Sequence, residues 1–98
     1  MAEIVWTEPA LNDLDNIAEY IAVSSLVAAT QLVKEIFAKL DMLEGYPKSG
    51  KSVSELPSLN YRELYVKPCR IFYKFEDNEA FILHLMRQEQ DLRRFLLD

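Results

Sequence analysis

Residues 60–75, NYRELYVKPCRIFYKF, restrict the fold more than any other stretch of the chain. Two runs rich in β-branched and aromatic residues, Tyr61 to Val66 and Cys69 to Phe75, flank a Lys67-Pro68 break, the pattern of a β-hairpin with proline in its turn. A two-residue loop sets position 62 opposite 73, 64 opposite 71 and 66 opposite 69. Arg62, Leu64, Val66, Cys69, Ile71 and Tyr73 then share one face of the ribbon, and Tyr61, Glu63, Tyr65, Arg70, Phe72 and Lys74 the other. Lys-Pro is a poor pair for a tight hairpin turn, and a loop longer by one residue reverses this parity. The segment from Arg62 to Lys74 also holds four basic residues (Arg62, Lys67, Arg70, Lys74) against one acid, Glu63, in a protein of net charge −5. That local excess is a candidate seat for an anionic group.

The rest of the chain supplies what such a hairpin must pack against. Glu3 to Thr7 (EIVWT) reads as a short strand, closed by Thr7 as a helix cap with Pro9 in the first turn. Ala10, Leu11, Leu14, Ile17, Ala18 and Ile21 then recur at helical spacing, with Asn12, Asp13, Asp15, Asn16 and Glu19 opposite them. After Val23-Ser24-Ser25, either serine caps a second helix to about Glu44, striped by Ala29, Leu32, Val33, Ile36, Phe37, Leu40 and Leu43 and ended by Gly45 and Pro47. So short a link folds the two helices back as an antiparallel pair with one joint apolar face, spanning 8–22 and 26–44. Residues 45–60 carry both glycines, Pro47, Pro57 and four serines, and read as a loop long enough to suspect of function, with Lys48 and Lys51 beside Tyr46. A turn at 76–79 and a strand from Ala80 to Met86 or Arg87 follow. A short amphipathic helix from Gln90 to Leu97, with Leu92, Phe95 and Leu96 on one side, ends the order. The expectation is a single α+β domain over 1–98 in two layers: an N-terminal strand and helical hairpin packed on an antiparallel sheet, β-α-α-β-β-β with a short C-terminal helix.

At 98 residues and 50% hydrophobic content, one core cannot hide all the apolar surface, so some of it awaits a partner. Residues 1–60 hold four Lys/Arg and nine Asp/Glu, and residues 61–98 seven of each, which argues against non-specific coating of nucleic acid. The single cysteine, Cys69, has no internal disulfide partner. The N-terminus lacks the basic start and apolar run of a signal peptide, and no apolar stretch is long enough to span a bilayer. A soluble cytoplasmic protein with no membrane association is expected.

The ordered set of motifs resembles the RelE/ParE superfamily of toxins from bacterial type II toxin-antitoxin modules, most closely its ParE branch. The opening pattern A-x-x-D-L-x-x-I is matched by Ala10, Asp13, Leu14 and Ile17. Y-R-x-L-x-V followed by R-I-x-Y is matched by Tyr61, Arg62, Leu64, Val66, Arg70, Ile71 and Tyr73, and the closing Q-D by Gln90 and Asp91. The resemblance covers nearly the whole chain. It implies one of two actions: RelE-like members cleave messenger RNA in the ribosome, whereas ParE-like members poison DNA gyrase without a known hydrolytic activity. Both are neutralised by an antitoxin, a small DNA-binding protein whose flexible tail wraps the toxin. Where many members carry a histidine near the end of the last strand, this sequence has Leu85-Met86-Arg87.

RNA cleavage needs a base for the 2′-hydroxyl, an acid for the leaving oxygen and cations for the phosphate. Arg62, Arg70 and Arg87 supply the cations, but arginine stays protonated and is a poor base. His84 lies three residues from Arg87 and is expected on the opposite face of the same strand. Tyr73 could in principle act as acid or base, but a strand tyrosine between Ile71 and Phe75 is more often a core or cross-strand packing residue. No metal spacing, phosphate loop or serine triad motif is present, and no cofactor is expected. The favoured reading is a protein-binding poison of gyrase without catalytic residues, with Arg62, Arg70, Tyr73, Arg87, Leu92 and Phe95 as the target- or antitoxin-binding set. A ribosome-dependent endoribonuclease is the alternative, and a toxin-like fold that only binds an antitoxin a third.

Overall fold

In the computed structural model, which describes residues 1–92, the two-residue hairpin loop is the one formed: Arg62 lies opposite Tyr73, Leu64 opposite Ile71 and Val66 opposite Cys69. The Lys67–Pro68 peptide bond is cis, which places proline in a tight turn of the kind that holds cis-proline at its third position. Five strands make one sheet: β1 (Glu3–Trp6), β2 (Lys51–Ser52), β3 (Arg62–Val66), β4 (Cys69–Glu76) and β5 (Glu79–Arg87). They stand in the order β1-β5-β4-β3-β2. The meander β3-β4-β5 is antiparallel as expected, but β1 joins β5 in parallel, Glu3 beside Glu79 and Trp6 beside Ile82, so the sheet is mixed. The loop of 45–60 is not wholly irregular either. Lys51 and Ser52 pair with Glu63 and Arg62 as the edge strand β2, two residues too few to leave a periodic signal. The β4–β5 turn is made by Asp77 and Asn78, both at positive φ (51° and 61°), where short side chains that bond their own backbone are tolerated.

Helices α1 (Glu8–Ala22) and α2 (Leu26–Asp41), the latter continued by a 3₁₀ turn at Met42–Glu44, lie on one face of the sheet. Thr7 caps α1, its hydroxyl oxygen accepting from the Ala10 N–H at 3.3 Å, and the same hydroxyl donates to the Ile82 carbonyl at 2.6 Å. One side chain thereby starts the helix and ties it to β5. Ser25 caps α2 through the Ala28 N–H at 3.1 Å. Ala10, Leu14 and Ile17 of α1 and Leu32, Ile36 and Leu40 of α2 bury against Leu64, Ile71, Tyr73, Ile82 and Leu85 of the sheet. Leu11, expected in the α1 stripe, points outward, and the half-exposed Phe37 stacks on Trp6 at 5.2 Å rather than entering the core.

A second, smaller core covers the opposite face. Val53, on the segment after β2, packs with Phe72, Met86 and Leu92, flanked by Leu56 and Tyr61. The loop of 53–61 is therefore a strap across the outer side of the sheet. Of the helix expected from Gln90 to Leu97, Gln90 and Asp91 are not helical, Leu92 is, and the rest lies outside the described residues. Among the described residues no helix is long and apolar enough to cross a membrane.

Candidate functional site

The three arginines of the expected binding set stand at three separate places. Arg62, at the start of β3, donates from Nη1 to the carbonyls of Lys48 (3.1 Å) and Gly50 (2.8 Å) and so pins the loop leading into β2. Its cross-strand partner Tyr73 holds the same loop. The Tyr73 hydroxyl donates to the Pro47 carbonyl at 2.9 Å and accepts from the Gly50 N–H at 2.8 Å. Burial raises the Tyr73 pKa, the Gly50 N–H partly opposing it. Gly50 is required there: a Cβ would sit 2.7 Å from the Tyr73 ring and 2.8 Å from the Glu63 carbonyl, and backbone cannot give way. Tyr73 is wholly buried, so it presents no surface to a partner. Leu92 likewise belongs to the outer core, and Phe95 lies outside the described residues.

Arg70 is on the outer face, clamped between two carboxylates. It meets Glu55 of the strap through two parallel bonds of 2.8 and 2.9 Å and Glu63 of β3 at 2.6 Å, with its guanidinium 5.0 Å from the Phe72 ring centre. Such a fork-to-fork geometry is the strongest form of this pair. The hydrogen bonds from Arg70 hold the Glu55 carboxyl at about 2, well below its ordinary 4.5, while the Arg70 pKa is raised by the same bonds. A folded-state pKa below the unfolded one makes Glu55 stabilise the fold fully above about pH 4.5, and that contribution is lost as the pH falls through about 2. Urea midpoints of the parent should thus drop more between pH 5 and pH 2.5 than those of Glu55→Gln. Parallel pH profiles for the two proteins would contradict the clamp.

Arg87 ends β5 on the helical side. Its guanidinium lies 3.9 Å from the centre of the Tyr20 ring of α1 and bonds Glu89 at 2.9 Å. Beside it, a cleft of roughly 230 Å³ is lined by Asp13, Asn16, Ile17, Tyr20, Leu85, Arg87 and Gln90. β1 stops at Trp6, and side chains close the adjoining edge of β5: Asp13 Oδ2 of α1 accepts the Leu85 N–H at 3.1 Å, and Gln90 Oε1, three residues past the end of β5, the Arg87 N–H at 2.9 Å. Asp13 also accepts from His84 Nδ1 at 3.0 Å. As the alternation along a strand predicts, His84 stands opposite Phe72 of the outer core and Arg87 opposite Cys69 of the inner one, and His84 meets Asp13 beside the edge of β5 that β1 leaves open. A bulge lies just before His84, since Phe72 pairs with His84 but Tyr73 with Ile82, and beyond it the two-residue period runs on to Arg87.

Cys69 is fully buried, and burial, aided by nearby Glu89, raises its thiol pKa to about 11, so it stays protonated and inert. Among the described residues no group of three or more His, Cys, Asp or Glu is placed to hold a metal. Sequence reasoning assigned no site role to Glu55, Asp13, Tyr20 or Gln90; Asp13 carried a signal as the polar position of the A-x-x-D-L-x-x-I pattern and Gln90 as the first residue of the closing Q-D. The expected apolar surface is concentrated at the helical turn, where Val23 (88% exposed), Val27 (81%), Leu26 (72%) and Tyr20 (61%) stand together. Residues 21–33 around it carry no charged side chain.

Residues 4–92 match the family described as "ParE toxin of type II toxin-antitoxin system, parDE". A relative from Caulobacter vibrioides, "Toxin RelE2", is 38% identical over 88 residues, covering 89% of this chain and 92% of that protein. Among solved structures, the "Chromosomal ParDE TA system from P. aeruginosa" superposes with a TM-score of 0.75 at 26% identity, covering 91% of this chain and 98% of that one.

Proposed function

This chain belongs to the ParE toxin family of type II toxin-antitoxin systems, and from that premise we propose that it acts in the cytoplasm as a binding inhibitor of DNA gyrase, neutralised by a cognate antitoxin. The observation that carries this reading over ribonuclease action is the state of Arg70. An arginine that must steady a phosphorane-like transition state needs its N–H groups free, and here Glu55 and Glu63 occupy them. Arg62 is spent on backbone carbonyls and Arg87 stands on the other face, so the three cations do not converge on one phosphate. The apolar turn at Tyr20, Val23, Leu26 and Val27 supports the antitoxin half of the proposal, because an uncovered patch of this kind marks a protein-protein contact.

Arg87→Glu is expected to weaken inhibition of gyrase supercoiling by about tenfold or more by weakening binding, the size of effect that reversal of one interface charge brings. His84→Ala should change inhibition only as far as it lowers stability. The comparison is a supercoiling assay run beside a translating-ribosome cleavage assay with the same purified protein. Cut messenger RNA with unimpaired supercoiling would overturn the proposal, as would a His84→Ala protein that folds normally but has lost all activity.

A further inference from the structure

Arg87 lines the cleft between α1 and the end of β5 with Asp13, Tyr20 and Gln90. The Arg87 guanidinium carbon lies over the Tyr20 ring, 3.9 Å from its centre, a contact that leaves N–H groups for a carboxylate fork. Its ionic partner among the described residues is Glu89, whose side chain keeps 57% of its surface in water and meets Nη1 alone. An exposed pair of that sort is held weakly and exchanged at small cost. Gln90 spends its carbonyl on the Arg87 N–H, so its amide nitrogen is the end left to meet a ligand. Asp13, the cleft's own acid, is already used by the Leu85 N–H and His84. Tyr20 also lines a second groove, roughly 550 Å³, with Ile21, Val23, Ser24, Ser25 and Ala28, and this one carries no charge.

We infer that the cleft between α1 and the end of β5 is a carboxylate site that takes an Asp or Glu side chain of a partner protein, with the partner's next apolar side chains lying past Tyr20 in the uncharged groove. Glu89 is the internal carboxylate that the partner displaces. A protein acid fits better than a nucleic-acid phosphate because α1, which forms one wall, has Glu8, Asp13, Asp15 and Glu19 and no basic residue. That wall repels a polyanion but tolerates one carboxylate seated on Arg87. The identity of the partner rests on the toxin reading above; the chemistry of the cleft does not.

The test uses blocked hexapeptides in which one aspartate precedes two leucines, titrated into the full chain and followed by amide NMR. The aspartate peptide should shift Tyr20, Arg87 and Gln90, and its asparagine counterpart should bind about tenfold more weakly, the difference between a charge-assisted fork and neutral bonds. Glu89→Gln should tighten the aspartate peptide about threefold or more by removing the competitor, and Arg87→Lys, which keeps the charge but loses the fork, should weaken it. Equal binding of the two peptides, or no tightening in Glu89→Gln, overturns the site. So does inorganic phosphate that shifts the same residues at lower concentration than acetate. Because no gyrase is present, a negative result here leaves the supercoiling assay to judge the toxin reading separately.

Discussion

Ile36→Ala is expected to lower stability by about 4 kcal/mol, in the upper half of the range for removing a large buried aliphatic side chain. Ile36 is wholly buried at the middle of α2, inside the core that joins both helices to the sheet. The sheet and α1 are tied to each other by Thr7 and Asp13, so neither can move in to fill the space. The cavity therefore stays open and its full cost is felt. Urea denaturation followed by circular dichroism measures it directly. A midpoint within error of the parent would mean that the inner face of α2 is not packed on the sheet.

Arg70→Ala is expected to cost about 3 kcal/mol, the lower end for breaking a buried ion pair by deleting one partner. The loss comes less from missing attraction than from what is left behind. Glu63 keeps only 9% of its side-chain surface in water and would face Glu55 with no cation between them. Glu55 retains 33%, which is why the lower end applies. Replacing all three residues by methionine should recover most of the loss, because apolar side chains of similar volume leave no stranded charge. If Arg70→Ala melts like the parent, the strap is not held by the clamp. If the triple variant is as unstable as the single one, the packing of Val53 and Leu56 is the true anchor.

The two hairpin strands were legible because Arg62, Leu64, Val66, Ile71 and Tyr73 alternate cleanly with Glu63, Tyr65, Arg70 and Phe72, whereas their register hung on the length of a loop that Lys67-Pro68 did not by itself decide. The helix caps were legible for a local reason as well, since Thr7 and Ser25 bond N–H groups three residues away. What could not be read was whatever depends on partners far along the chain. Glu55 looks like any loop acid until β4 brings Arg70 to it, and nothing near Asp13 announces the Leu85 N–H that it closes. Tyr20 fits the end of the α1 pattern as a surface residue, and its part in holding Arg87 exists only once α1 lies along β5. The bulge beside His84 is invisible for another reason, because a one-residue slip leaves each flanking run of β5 in good alternation.

The parallel pairing of β1 with β5 sets a timetable for the chain as it is made. Glu3 must meet Glu79 and Trp6 must meet Ile82, so the first strand has no strand partner until the last one has emerged from the ribosome. Contacts that distant in sequence close late and slowly, after the local helix pair and the β3–β4 hairpin can already stand. Until then the wall of the Arg87 cleft lacks its strand, and the apolar side chains of β1 lack their neighbours. A half-made chain holds its pieces but not its surface, and the cleft beside Arg87 is complete only once β5 has emerged.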